Sequence, residues 1–136
     1  MIEYRVGIDF DAGEAIEVYR DCELGARRPV DDYERMAAML RNANLVVTAW
    51  DGARMVGIAR SLTDFAYITY LSDLAVRESY QRQGIGKELI RRTQAAAGPN
   101  AGLLLLAAPS AESYYPHIGF AHHPQAWILR SGQAVL

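Results

Sequence analysis

Gln81-Arg82-Gln83-Gly84-Ile85-Gly86-Lys87 stands between an apolar run ending at Val76 and a stretch of helical periodicity that begins at Gly84. Glycines there let the backbone turn tightly and let a ligand approach the amides with no Cβ in the way. The start of a helix offers N–H groups without carbonyl partners and a partial positive charge. Anionic phosphate is the ligand such a place suits. Two well-known phosphate loops do not fit. A Walker loop needs glycine five residues before Gly86 and Ser or Thr after Lys87, where this chain has Gln81 and Glu88. A dinucleotide fingerprint needs a third glycine where Leu89 stands.

Other chemistry-bearing residues are sparser. His122 and His123 are adjacent, so in an extended strand they point to opposite faces, and with His117 they read as surface histidines without a metal. Cys22 is alone, which excludes an intrachain disulfide framework and any multi-cysteine metal site. It reads as a half-buried helix residue. Arg27-Arg28 read as solvated loop residues, with attraction of an anionic acceptor as the alternative. Tyr67 and Tyr70 precede Asp73 on an apolar run, and either can line a pocket.

The elements that must position these residues follow from periodicity. Ile2–Asp9 alternates apolar and polar residues and predicts a half-buried strand. Ala12–Leu24 repeats apolar residues at helical spacing behind a capping Asp11, and a second helix runs from Asp31 or Asp32 to Asn42. Leu45–Trp50, Asp51-Gly52 and Arg54–Leu62 predict a hairpin, and a turn near Thr63-Asp64 leads into a long strand, Phe65–Val76. A helix over Gly84–Ala97 precedes Gly102–Ala108, an apolar run expected to be a parallel strand buried on both faces. A short helix at Ser110–His117 and terminal strands through Trp127–Leu129 complete an α/β order with one late parallel crossover.

Composition bounds the function. The 136 residues are 51% hydrophobic and 22% charged, a globular composition fitting one domain over 1–136. Fourteen Lys and Arg against sixteen Asp and Glu give a net charge of −2, no footprint for extended nucleic-acid binding. No basic n-region precedes an apolar stretch at the start, and the longest apolar run falls far short of the ~20 residues that span a bilayer. The expectation is a cytoplasmic protein without a membrane partner.

Leu74 to Ile90 closely resembles motif A of the GNAT superfamily of N-acetyltransferases, with Gln81 to Gly86 matching its Gln/Arg-x-x-Gly-x-Gly/Ala signature in full. Ala111 to Phe120 is similar to a second signature, Ala-x-x-x-Tyr-x-x-x-Gly-Phe. The resemblance implies a mixed, mostly antiparallel sheet flanked by helices, with a splayed parallel strand pair over residues 66–76 and 102–108. It also implies acetyl-CoA as cosubstrate, with no metal. Backbone amides of Gln81, Arg82, Gln83, Gly84, Ile85 and Gly86 would cradle the pyrophosphate, with Arg82 and Lys87 either adding charge or simply solvated. Leu74, Ala75 and Val76 would border the pantetheine arm, which pairs with Leu74 and Val76 as an added strand does.

The same resemblance implies Tyr115 as general acid to the departing thiolate, since a phenol with pKa near ~10 keeps its proton at neutral pH. Tyr114 is its packed neighbour. Asp73 is the candidate base, with Asp64 and Glu23 as alternatives and a water chain as another. One departure is Ala108, where the family often has an asparagine that bonds the cofactor. The function implied is acetyl transfer to a primary amine on a small molecule or peptide, and the family adds an expectation of a homodimer. An idle acyl-CoA sensor on the same fold is the alternative.

Overall fold

The apolar, partly β-branched runs pair into one sheet. The computed structural model describes residues 1–136. Its elements are β1 (Ile2–Val6), α1 (Ala12–Arg20), α2 (Tyr33–Asn42), β2 (Leu45–Asp51), β3 (Arg54–Thr63), β4 (Ile68–Val76), α3 (Ile85–Ala97), β5 (Gly102–Leu104) and α4 (Tyr114–His117). The chain divides into two compact units, Met1–Leu106 and Ala107–Leu136. In the first, the strands lie in the order β1-β2-β3-β4-β5, antiparallel except for the β4–β5 pair. Parallel pairing needs a crossover, and α3 supplies it.

One sheet face packs Val46, Trp50, Ile58 and Ala75 against Ala15, Ile16, Val18 and Tyr19 of α1 and Met36 and Leu40 of α2. On the other face Leu89 of α3 lies against Gly57, and Ala97 clusters with Leu45 and Ala101. Each fully buried aliphatic side chain contributes roughly 1.5–3 kcal/mol. The helix starts follow their sequences. Asp32 Oδ1 accepts from the Arg35 N–H, 3.1 Å away, at the start of α2. Asp11 holds the corresponding place before α1 without a side-chain capping bond.

Two bulges bend the sheet. Between β2 and β3, Ala49 faces Gly57 and Trp50 faces Met55, which leaves Val56 as an extra residue. Between β3 and β4, Arg60 faces Asp73 and Ser61 faces Leu71, which leaves Ser72 extra. A residue inserted this way loses its ladder partner and increases the local twist.

Several expected boundaries move. The first strand stops at Val6, and α1 stops at Arg20, followed by a short 3-10 helix over Glu23–Arg27. β4 begins at Ile68 rather than Phe65, because the Asp64 carboxylate takes the N–H groups of Ala66, Tyr67 and Ile68 into a loop. β5 spans only Gly102–Leu104 and is not buried on both faces: Leu104 and Leu106 are exposed. The cause is its place at the sheet edge, with α3 packed over β2, β3 and β4 instead. The terminal strands expected through Trp127–Leu129 do not form, and all three side chains there are exposed. No helix is long and apolar enough to cross a membrane.

Candidate functional site

The short β5 has a consequence for its neighbour. The parallel ladder pairs Ile68, Thr69 and Tyr70 with Gly102, Leu103 and Leu104 and then ends. From Leu71 to Val76, β4 has a strand partner on the β3 side only. The Arg77 N–H donates to the Val56 carbonyl of β3 at 2.9 Å. By strand alternation the backbone groups of Val76 and Leu74 then point away from β3, into the gap that β5 leaves. Their side chains lie beneath α3, where a Cβ on Gly86 would come 3.9 Å from each.

The glycine loop closes the end of that gap. The Gln81 side-chain amide donates to the Val76 carbonyl at 2.8 Å, tying the loop to the strand end. Arg82 and Gly84 both adopt positive φ, 63° and 84°. That geometry is costless only for glycine, so Arg82 holds a mildly strained conformation at an exposed turn. The first bond of α3 runs from the Glu88 N–H to the Gly84 carbonyl at 3.0 Å. The N–H groups of Ile85, Gly86 and Lys87 therefore lie ahead of the helix's own ladder. Gln81, Arg82, Gln83 and Lys87 are exposed. A strand edge leading into a turn of amides at a helix start can hold an extended chain ending in an anion.

Asp73 lies on the same strand but faces the interior. Its side chain is fully buried and accepts from Arg60 Nε at 2.5 Å, Arg28 Nε at 2.6 Å, the Tyr19 hydroxyl at 2.6 Å and the Ser72 hydroxyl at 3.3 Å. Burial alone would raise its pKa. The hydrogen bonds and charge of Arg60, the Tyr19 hydroxyl and the Arg28 charge outweigh that and hold it below the ordinary carboxylate value. Burial, with the Asp73 charge beside it, pushes the Tyr19 phenol well up, so it stays a donor. A carboxylate so placed is an anchor, poorly suited to take a proton from an acceptor. Asp64 is exposed, but its pKa is held low by the backbone bonds from Tyr67, Ala66 and Ile68. Glu23 sits exposed on the short helix after α1. Tyr67 is exposed on the β3–β4 loop and Tyr70 is half-buried on β4.

Tyr115 belongs to the second unit, on α4. Gly119, at φ 103°, ends that helix, and the N–H groups of Ile118 and Phe120 both return to the Tyr115 carbonyl at 3.1 Å. The reversal brings the Phe120 ring edge-on to Tyr115, with centroids 5.5 Å apart. Left-handed backbone at that point favours glycine, which explains the spacing from Tyr115 to Gly119-Phe120. Tyr114 packs edge-on against Tyr115 from its other neighbour position, 5.4 Å between centroids. Burial, then the adjacent Tyr114, raises the Tyr115 pKa. The phenol thus keeps its proton across the neutral range. His117, His122 and His123 are exposed, and no group of three or more His, Cys, Asp or Glu side chains is placed to hold a metal ion.

The sequence model of the acetyltransferase (GNAT) domain matches residues 22–132. The chain belongs to the GNAT acetyltransferase family. It is 29% identical over 135 residues to the probable acetyltransferase TAP2 of Glycine max, covering 87% of this chain and 53% of that protein. This GNAT chain spans about half the length of the curated relatives it matches. Among solved structures, a putative acetyltransferase from Deinococcus radiodurans R1 superposes with a TM-score of 0.77 at 20% identity, covering 96% of this chain and 88% of that one. The aminoglycoside N-acetyltransferase AAC(6')-Iy in complex with CoA superposes at 0.73 with 15% identity, covering 97% and 95%. At those identities the likeness is one of fold.

Sequence reasoning missed the partners of Asp73. Arg60 and Asp73 each sit inside an otherwise apolar strand run, and a charge in such a run requires a partner. That signal was available for the pair. It was not available for Tyr19, one member of an apolar helical stripe. Nor was it for Arg28, which reads as a loop cation and instead is held against β4.

Proposed function

We propose that this GNAT domain transfers the acetyl group of acetyl-CoA directly to a primary amine of a small molecule or peptide. The observation that carries the reading is the open edge of β4, which runs from the bulge at Ser72 into the amide-lined turn before α3. In this reading the Gln81–Gly86 amides receive the pyrophosphate, aided by the charges of Arg82 and Lys87. Leu74 and Val76 offer backbone groups to the pantetheine arm beside Ala75. The Val76 carbonyl already accepts from Gln81, so the Leu74 carbonyl and the Leu74 and Val76 N–H groups are the ones left to pair. The Leu74 N–H suits polarisation of the thioester carbonyl. Acetyl-CoA supplies the activated acyl group: the amine nitrogen bonds to the carbonyl carbon and the C–S bond breaks. Tyr115 donates its hydroxyl proton to the departing sulfur. Water takes the proton lost by the amine, because Asp73 is held by Arg60, Arg28 and Tyr19. The CoA complex of the AAC(6')-Iy fold relative supports the choice of cosubstrate.

The engagement of both Asp73 and Asp64 favours one other reading, an acyl-CoA sensor on the same fold that carries out no transfer. A free-CoA release assay against small amines, amino acids, polyamines, aminoglycosides and peptide N-termini separates them. CoA release above the no-acceptor rate with at least one class is the expected result. Tight acetyl-CoA binding with no release across the panel assigns the chain to sensing.

A further inference from the structure

We infer that Arg28 is a positioning residue that latches the loop between α1 and α2 onto the open stretch of β4 and sets the geometry of its edge. The inference rests on the acetyl-CoA reading above. Three observations carry it.

Arg28 is surplus to the charge balance at Asp73. The carboxylate is already paired with Arg60, whose Nη2 also reaches the Ser72 hydroxyl at 3.0 Å and whose Nη1 reaches the Met39 carbonyl at 3.2 Å. Tyr19 adds a further donor. A second guanidinium leaves two cations on one buried carboxylate, which is more than neutralisation needs.

The second donor of Arg28 goes to the backbone. Nη2 donates to the Ser72 carbonyl at 2.8 Å while Nε holds Asp73. Ser72 is the extra residue of the bulge, where the β3 ladder is interrupted. The planar fork of Arg28 thus supplies the bulge with the partner that β3 does not, and only a guanidinium has two donors in that fixed relation. A bulge is where β4 re-aims, so its setting fixes the direction of Leu74 and Val76.

The same loop is held at its other end beyond β4. The Asp21 carbonyl accepts from the Glu78 N–H at 3.0 Å, and its carboxylate lies 3.5 Å from Arg77. The loop from Asp21 to Asp32 is therefore pinned at Arg77–Glu78, just past the end of the stretch that lacks β5, and at Ser72–Asp73, near its start. It braces the stretch where the sheet does not.

Two ligands test this on the intact chain. Acetyl-CoA engages both the edge and the amide loop, whereas 3′-phospho-ADP lacks the pantetheine arm and engages the loop alone. Arg28→Gln and Arg28→Lys keep Asp73 paired with Arg60 and Tyr19, so both variants should fold. Lysine keeps the charge but not the fork. In calorimetry both should lose roughly tenfold in acetyl-CoA affinity, the scale of one charge-assisted hydrogen bond's ordering, with 3′-phospho-ADP changed less than about twofold. A general loss of structure would move both ligands together. Hydrogen exchange on the wild type gives a readout free of variants: acetyl-CoA should raise protection in 22–32 and 72–76 together, and 3′-phospho-ADP in neither. Parallel loss of both ligands, unchanged acetyl-CoA affinity in either variant, or independent protection of the two segments overturns the latch. A wild type that binds neither ligand overturns the acetyl-CoA reading itself.

Discussion

Arg60 on β3 and Asp73 on β4 are register partners beside a bulge, and their side chains meet at 2.5 Å in the interior. The pair stands where the sheet changes direction, so β4 is fastened from beneath within the stretch that β5 leaves open. Buried ion pairs contribute little against an apolar alternative, but removing one partner strands the other charge. Asp73→Asn should therefore cost about 3–5 kcal/mol in denaturant unfolding. It should do so with the Arg60 side chain, 9% exposed, left without its carboxylate.

The same residue predicts an acid limb. The folded-state pKa of Asp73 lies below the ordinary carboxylate value. The unfolded chain therefore binds that proton first as pH falls, so the contribution is complete above about pH 5. It drains away as pH drops below about 4, through the folded-state pKa. Unfolding free energy measured from pH 7 to pH 3 should fall more steeply in the wild type than in Asp73→Asn. Equal slopes would mean that Asp73 titrates alike in both states.

Ser61 offers the opposite case. It faces Leu71 next to the bulge, and its hydroxyl is buried without a hydrogen-bond partner. Thr93, equally buried on α3, donates to the Leu89 carbonyl at 2.8 Å. An unsatisfied buried group costs about 1–3 kcal/mol, whereas a satisfied one contributes about 1. Ser61→Ala should be neutral or stabilising, and Thr93→Val destabilising by about 1 kcal/mol. Thermal melts of the two variants side by side check the contrast.

These buried details mark where legibility in the sequence ends. The β2–β3 hairpin, the α3 helix and the glycine loop were readable because periodicity and turn chemistry are local. The parallel β4–β5 pair was readable from the crossover between them. The length of β5 was not. Leu103 to Ala108 is uniformly apolar, and a run without alternation does not say whether it lies at the centre of a sheet or at its edge. Asp73 was readable as a carboxylate on the right strand, but its orientation depends on Tyr19 and Arg28, 54 and 45 residues away in sequence. The extra residue at Ser72 likewise leaves no mark, since strand register is a property of two segments together.

The glycine loop carries a prediction that separates ligand approach from folding. A Cβ at Gly86 would meet Leu74 and Val76 at 3.9 Å, ordinary contact distance. Gly86→Ala should leave the melting temperature unchanged or raise it, because alanine suits a helix better than glycine. Acetyl-CoA affinity should nevertheless fall by about tenfold or more if the pyrophosphate approaches that amide. Gly84→Ala differs, since its φ of 84° makes any side chain strained and should cost about 1 kcal/mol of stability. Calorimetry on Gly86→Ala with unchanged acetyl-CoA affinity would remove the pyrophosphate from this loop.

Tyr115 carries the prediction closest to the chemistry. Its pKa is raised by burial and then by Tyr114, so the phenol holds its proton at neutral pH, as the proposed role of general acid requires. Tyr115→Phe removes one hydroxyl and keeps the ring edge-on to Phe120, so the end of α4 should hold. Loss of a general acid costs on the order of 10²–10⁴ in rate. Coenzyme A thiolate is a fair leaving group and water can protonate it, which puts the expected loss near the lower end, about 10². Acetyl-CoA affinity should change little, because the proposed binding contacts are those of the amide loop and the β4 edge. Tyr114→Phe is the control and should leave turnover nearly intact. The raised pKa also sets the sign of the pH dependence: activity limited by this acid should persist at least to about pH 10 before falling as the phenol ionises. Turnover by Tyr115→Phe above about half of wild type, with chemistry shown to limit the rate, would refute the assignment. Loss of activity in Tyr114→Phe instead would move the acid by one residue, onto the neighbouring ring.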